Sequence, residues 1–198
     1  MELANDSGDD RAALRDRAHA RLSTRVAITV ALLATFLGVC KVKDDNIVQA
    51  MQQAQADKLD HWNFYQARNV RQEVAAAAAV QLKLAAVSAP AAQQESYRAA
   101  IGSYEALVAE QAKKKEELRL EAEQDQKTYD ALNYRDDQFD LSDALIALAI
   151  SLLALTALTH KPWLYRLALV ATAGGVVMGL AGLLGWHLHP DALARILS

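Results

Sequence analysis

The sequence predicts an all-α membrane protein with three transmembrane helices and a long extramembrane helical hairpin, coiled-coil-like, between the first and second. Two observations carry this prediction. Three uncharged apolar segments occupy residues 26–40, 144–159 and 167–186. The region 44–140, in contrast, is polar and rich in alanine, glutamine, glutamate and lysine, which all favour helix. Apolar residues make up 53% of the chain, and they are strongly segregated along it.

Each apolar segment is long enough to cross a bilayer. A hydrocarbon core of about 30 Å needs roughly 20 helical residues. The third segment suffices alone, and the first suffices as 22–42 if Arg25 and Lys41 extend toward the headgroups. The second suffices as 141–159, with Asp143 at the boundary. Core helices of a soluble domain are the alternative, but a chain of 198 residues would have too little polar surface to cover three of them.

The distribution of basic residues predicts the orientation. Five arginines precede the first apolar segment, 26–40, and Lys161 and Arg166 lie between the second and third spans. Basic loops stay in the cytoplasm, so we expect a multi-pass protein of the bacterial inner membrane with a periplasmic hairpin. The predicted segments are 1–21 (cytoplasmic, basic), 22–42 (span one), 43–140 (periplasmic hairpin), 141–159 (span two), 160–166 (cytoplasmic loop), 167–187 (span three) and 188–198 (periplasmic tail).

The first apolar segment has an alternative interpretation as a cleaved lipoprotein signal ending at Cys40. Val39 argues against it, because a small residue is needed immediately before the modified cysteine. We therefore place Cys40 within the first span. As the only cysteine, it excludes an intrachain disulfide and a zinc cluster of cysteines.

The predicted hairpin has one obvious break, AVSAPAAQQ at 86–94, where Pro90 disfavours helix at the residue before it. Two helices, roughly 46–87 and 92–135, would each extend on the order of 60 Å. Asp45 or Asn46 is the expected N-cap of the first hairpin helix, and Ser142 that of the second span.

The second hairpin helix has apolar and polar residues at alternating spacings of four and three. This spacing is typical of a coiled coil, although a solvated helix with a chance pattern is the alternative. Polar side chains in the middle of such a seam weaken it but fix its register. The predicted seam consists of Tyr97, Ile101, Tyr104, Val108, Gln111, Lys115, Leu118, Ala122, Asp125, Tyr129 and Leu132.

The first hairpin helix contains ADKLDHWNFYQARNVRQEV, residues 56–74, which places Trp62, Phe64 and Tyr65 within four positions. On a helical wheel one face carries Met51, Leu59, Trp62, Tyr65, Gln66 and Asn69. The opposite face carries Asp57, Asp60, Phe64, Arg68 and Arg71. We expect Trp62 and Tyr65 to pack on the second helix, and Phe64 and Arg68 to face another copy or a partner. A singly exposed phenylalanine is the alternative.

The third span has a stripe of small residues. Gly175 and Gly179 form a Gly-x-x-x-Gly pair that Gly182 extends, and such stripes mark places where helix backbones approach each other in lipid. Ala147 and Ser151 offer a matching face on the second span. None of the spans has a central ionisable residue, which argues against a proton or ion pump.

No catalytic or cofactor motif is present: the chain has no glycine-rich phosphate loop, nucleophile elbow or His-Glu-x-x-His. Asp44-Asp45 and Asp136-Asp137 are expected near the membrane surface, where four carboxylates could collect Ca²⁺ or Mg²⁺. We favour solvated helix-end residues instead. For His187 and His189, which precede Asp191, we favour interfacial anchoring over a metal site. We therefore assign no catalytic, cofactor or metal residues.

Two stretches resemble the bacterial membrane-protein family known as domain of unknown function 4337: LDHWNFYQARNVRQE and HKPWLYRLALV. The first matches its Asp-x-Trp-x-aromatic-Tyr-Gln-Ala-basic run, and Lys161-Pro162 matches its basic-proline loop. His61 and Arg68 stand where the family pattern has glutamine and lysine. The resemblance covers about residues 20–188. It implies the same architecture and no established activity. The matching residues of the run are Asp60, Trp62, Phe64, Tyr65, Gln66, Ala67 and Arg68.

These observations predict a structural or interaction protein that self-assembles, as a homo-oligomer, through its hairpin and its glycine-striped spans. The lipid bilayer is one expected partner, and an unidentified envelope protein is a further candidate partner. A channel or pore-forming subunit is the alternative function. An enzyme is disfavoured because no nucleophile–base pair is visible. Nucleic acid is excluded as a partner because residues 43–140 carry 12 basic and 17 acidic residues.

Overall fold

The protein is helical throughout the part that the computed structural model describes, residues 2–186 and 188. Helix α1 spans Glu2–Val87, α2 spans Gln94–Thr159 and α3 spans Pro162–Leu184, with one turn of 3₁₀ helix at Ala91–Gln93. The described residues include no strand. Three helices are long and apolar enough to cross a membrane.

Helices α1 and α2 each continue through the predicted boundary between a span and the hairpin. The expected N-caps at Asp45, Asn46 and Ser142 are therefore wrong, because all three residues lie inside helices. No glycine or proline occurs near either boundary to interrupt the helix. Ser142 instead donates a hydrogen bond from Oγ to the backbone carbonyl of Gly175, at 2.8 Å.

The described residues form two compact units. The terminal unit contains the residues up to Gln49 and from Leu132 onward, and the central unit is Ala50–Ala131. All three helices contribute to the core of the terminal unit. Its buried cluster consists of Val26, Leu33, Ile146, Ala149, Leu153 and Ala168.

A two-residue link joins α2 to α3 in the terminal unit. His160 adopts a left-handed conformation with φ 53°, and its amide donates to the carbonyl of Thr156 at 2.8 Å, which closes the end of α2. Pro162 then occupies the first turn of α3, where its fixed φ suits a helix start and its missing N–H costs no hydrogen bond.

The central unit consists of two antiparallel helical segments joined at the break predicted around Pro90. Gln94 stabilises this turn, because its Nε2 donates to the carbonyls of Ala86 at 2.8 Å and Ala89 at 3.1 Å. Carbonyls at the end of a helix lack the usual amide partner, and that of Ala86 also accepts the amide of Ala89 at 3.3 Å. Lys83 pairs with Glu105 just beyond the turn, with Nζ and Oε1 2.6 Å apart.

Candidate functional site

Aromatic and basic side chains meet where the two segments of the central unit face each other. Trp62 and Tyr65 are half-buried and form an edge-to-face pair with ring centroids 5.2 Å apart. The ammonium group of Lys115, from α2, lies 5.8 Å from the centroid of Tyr65 and 3.0 Å from Asn69 Oδ1. This arrangement joins an aromatic pair with a cation–π contact.

The inner face of α1 repeats at spacings of three and four, and each of its members is buried or half-buried. We call this set the α1 seam: Met51, Ala54, Lys58, His61, Tyr65, Arg68, Gln72, Ala75, Ala79 and Leu82. The alternation gives a period of 3.5 residues, which keeps one face toward a neighbouring helix over many turns. Four of its ten members are polar, so a search for apolar periodicity in the sequence does not find it.

The contacts across the α1 seam are polar. His61 Nδ1 lies 2.7 Å from Asp125 Oδ2, and its Nε2 lies 3.4 Å from Glu121 Oε2. Both ring nitrogens therefore face carboxylates. Lys58 donates a hydrogen bond to Gln126 on α2. The side-chain oxygen of Gln72 is buried without a hydrogen-bond partner in the described part of the chain.

Arg68 corrects one expectation from the helical wheel. It was expected to face outward with Phe64, but its Nη1 donates to Oε1 of the buried Gln111 on α2, at 3.1 Å. Arg68 follows His61 by seven residues, so at a period of 3.5 both occupy the same face. On a wheel at about 100° per residue, Arg68 lies about 60° from Tyr65 but about 120° from Trp62, so the expected face was centred on the wrong residue.

Gln66 corrects a second expectation. It was placed with Trp62 and Tyr65 on the inner face, but it is exposed. It lies one residue beyond Tyr65, outside the alternation of three and four. Leu59, expected on the same inner face, is exposed for the same reason.

The predicted seam of α2 lies on its less exposed face. Gln111 and Ala122 are buried, and Tyr97, Ile101 and Val108 are half-buried. Tyr104 differs, since its side chain reaches the surface. There it lines a shallow groove whose other members are Val70, Arg71, Val74, Ala75, Leu107 and Gln111.

The outer surface of α1 in the central unit is unusually apolar. Phe64 is 60% exposed beside the seam. A further set of apolar residues, the outer stripe, lies outside the seam, and two of its members, Val70 and Val74, line the shallow groove described above. It consists of Val70, Val74, Val80, Leu84 and Val87, all more than half exposed. Residues 74–87 contain a single charged side chain, Lys83.

The glycine stripe of α3 faces inward within the terminal unit. A Cβ atom at Gly175 would lie 2.7 Å from Ile146 Cγ1, and one at Gly182 would lie 2.9 Å from the ring of Phe139. At Gly179 it would lie 2.7 Å from Ser142 Oγ. The glycines therefore allow α3 to approach α2 of the same chain.

The partners of the glycine stripe on α2 also differ from those expected. Ala147 and Ser151 were predicted to receive it, but both are exposed. Ser142 and Ile146 occupy that place and are buried. Ser142 and Ile146 lie five residues before Ala147 and Ser151, respectively. The face of α2 that contacts α3 is therefore a different one from the face that carries Ala147.

Acidic residues from α1 and α2 meet in the terminal unit. The side chains of Asp44 and Asp136 lie close to each other, and Lys41 Nζ lies 2.7 Å from Asp44 Oδ2. Among the described residues no three histidine, cysteine or acidic side chains are grouped so as to hold a metal ion. His187, His189 and Asp191, weighed above as a metal site, lie outside the described residues.

Comparisons with known proteins give a family and no activity. A search of curated proteins and a search of solved structures each found no significant match. A family model described as a domain of unknown function matches residues 22–185, which is most of the chain and includes both stretches that carry the resemblance. The chain therefore belongs to the family described as Domain of unknown function (DUF4337).

Proposed function

We propose that this chain is a structural or interaction protein of the bacterial inner membrane, in which three spans hold a periplasmic helical hairpin that assembles with further copies. Three helices long and apolar enough to cross a membrane support the placement. The arginines before the first span and Lys161 and Arg166 before the third support an N-terminus in the cytoplasm.

The outer stripe is the observation that carries the proposed assembly. Val70, Val74 and Leu84 are 61%, 64% and 69% exposed, so the central unit leaves most of each side chain uncovered. Single exposed apolar residues are common, but a contiguous apolar band on a helix outside the bilayer indicates a surface that another molecule covers. A second copy is the partner we propose, since most soluble assemblies are formed by identical chains.

Assembly is assigned to the central unit rather than to the spans. The space beside the glycines, which would allow close approach of a second copy in the bilayer, is already occupied by Ile146, Ser142 and Phe139 of the same chain. Phe64 and the outer stripe have no such cover among the described residues.

Native mass spectrometry of the full chain in mild detergent tests the assembly. We expect a single closed stoichiometry for the wild type, and its loss or weakening in Phe64→Ala and in the double variant Val70→Ser/Val74→Ser. Leu120→Ala is the matched control, because Leu120 is also about half exposed but lies on α2 outside both features. A monomeric wild type, or equal loss in the control, would contradict the proposal.

Cysteine labelling tests the orientation. Ser88→Cys places a thiol in the exposed turn between α1 and α2, and Lys161→Cys places one in the link between α2 and α3. In cells with a permeable outer membrane, an impermeant reagent should label the first variant before lysis and the second only after lysis. The reverse pattern would overturn the proposed orientation.

A further inference from the structure

Asp44 is a buried carboxylate, and one of its two oxygens has no hydrogen-bond donor among the described residues. It lies inside α1 and is only 3% exposed. Oδ2 accepts a hydrogen bond from Lys41 Nζ at 2.7 Å. Oδ1 is buried and finds no N–H or hydroxyl donor in the part of the chain that the structure describes. A buried acceptor without a donor is costly, so this oxygen calls for a ligand that donates a hydrogen bond.

The group placed to satisfy Asp44 is itself a carboxyl. The carboxyl group of Asp136, on α2, lies close enough to that of Asp44 for the two to share a hydrogen bond. Two ionised carboxylates have only acceptors, so this bond exists only when one of them carries a proton. Burial, the hydrogen bond to Asp44 and the nearby charges of Asp140, Asp44 and Asp137 raise the pKa of Asp136 to about 6.

The charged groups around the pair favour a proton. On α1 these are Lys41 and Asp45, with Lys41 Nζ 3.8 Å from Asp45 Oδ1. On α2 they are Asp137, Asp140 and Asp143, which act on the pair electrostatically. Helix α3 has no charged residue between Leu167 and Trp186. One lysine therefore faces several carboxylates.

A metal ion fits this place less well. Lys41 already occupies one oxygen of Asp44, and the described residues do not bring three metal-binding side chains together. Hard cations such as Ca²⁺ take six or more oxygen ligands. A single proton, in contrast, completes the hydrogen bonding of the pair.

We propose that Asp44 and Asp136 form a proton-binding site that joins α1 to α2, with one proton shared between the two carboxyl groups and with Lys41 balancing the remaining charge. Loss of the proton leaves two facing carboxylates and loosens this contact. The inference does not depend on self-assembly, because both residues belong to the terminal unit of one chain.

The direction of the pH effect follows from the pKa of Asp136, which is higher in the folded protein than the ordinary value of 3.8. The folded state thus binds the proton more tightly than the unfolded state. The stabilisation is fully present below about pH 4, declines as the pH rises toward 6, and is lost above the folded pKa. The contact is consequently strengthened by acid.

Infrared difference spectroscopy of the full wild-type protein, titrated between about pH 4 and 8, detects the proton directly through the carbonyl band of a protonated carboxyl group. We expect one such group to titrate near pH 6. It should vanish in Asp136→Asn, titrate at lower pH in Asp44→Asn and persist in the control Asp45→Asn. No group titrating above about pH 5, or an unchanged titration in Asp44→Asn, would overturn the site.

Thermal melting gives a second readout. The amide of Asp136→Asn can donate to Asp44 at every pH, so the variant should lose the fall in Tm that the wild type shows between about pH 4 and 6. Asp45→Asn should retain that fall. Equal pH dependence in wild type and Asp136→Asn would contradict the proposal. Disappearance of the carboxyl band at about pH 5 on adding millimolar Ca²⁺ would show a cation site instead.

Discussion

The terminal and central units are both built from long antiparallel helices, but they bury different kinds of side chain. In the terminal unit large apolar residues such as Phe139, Ile146 and Leu153 are fully buried. In the central unit the buried residues are alanines, the polar Gln111 and, at one end, Met51. The inner contacts of the central unit include hydrogen bonds and ion pairs between α1 and α2.

This difference indicates two ways of holding helices together. Close packing with glycine at the contact brings helices together through many van der Waals contacts. A polar seam adds little net stability, about 0.5–1.5 kcal/mol for each hydrogen bond, but mismatched pairs are costly and the register is thereby fixed. We infer that the terminal unit is held mainly by packing and that the central unit depends on matched pairs.

The largest expected effect comes from deleting one aromatic ring in each unit. Phe139 is 1% exposed and packs against Gly182, so Phe139→Ala should cost about 3–5 kcal/mol. Trp62 is only half-buried, and Trp62→Ala should cost about 1–2 kcal/mol. Denaturation of both variants in mild detergent measures the two losses. An equal or larger loss for Trp62→Ala would remove the distinction between the units.

A second test adds a methyl group where the helices of the terminal unit touch. In Gly175→Ala the new Cβ would lie 2.7 Å from Ile146 Cγ1 and 3.2 Å from the carbonyl oxygen of Ser142. Such overpacking costs about 1–3 kcal/mol. Gly38→Ala is the matched control in the same unit, because nothing lies within 4 Å of its added Cβ. Thermal melting of both should show a loss for Gly175→Ala alone.

The polar seam is tested by removing one or both members of a pair. Arg68→Ala leaves Oε1 of the buried Gln111 without its donor and should cost about 1–2 kcal/mol. The double variant Arg68→Leu/Gln111→Leu should lose less stability than the sum of its two single variants. Each single variant leaves one partner of the hydrogen bond unpaired, whereas the double variant removes both partners. Additive losses by chemical denaturation would show that the pair is not coupled.

The sequence predicts the helical architecture well because its signals are long and local. Uncharged runs, the absence of glycine and proline from 44 to 85, and Pro90 at the turn are all visible in the composition of short windows. The α2 seam is also predictable, since Tyr97, Ile101 and Val108 are apolar. The continuity of α1 past Asp45 is harder to foresee, because a favourable N-cap residue starts a helix only where the preceding chain is not already helical.

The side-chain contacts are predictable only in part. The α1 seam contains Lys58, His61, Arg68 and Gln72, so a search for apolar periodicity does not find it. Its signal is the spacing of small or matched polar residues, such as Ala54, Ala75 and Ala79. The pairing of Asp44 with Asp136 depends on how α1 and α2 lie together, which the sequence does not contain locally.

The smallest expected effect is that of Gly102→Ala, and it has the opposite sign to that of Gly175→Ala. The two variants together distinguish the close helix packing of the terminal unit from that of the central unit. Gly102 lies in α2 within the central unit, and an added Cβ there meets nothing within 4 Å. Glycine in a helix interior costs about 0.5–1 kcal/mol relative to alanine through its greater freedom in the unfolded chain. Gly102→Ala should therefore raise the free energy of unfolding by that amount. A loss of stability in this variant would mean that the surface near residue 102 is covered by another molecule in the native assembly. The contact surface of the central unit would then involve α2 as well as α1.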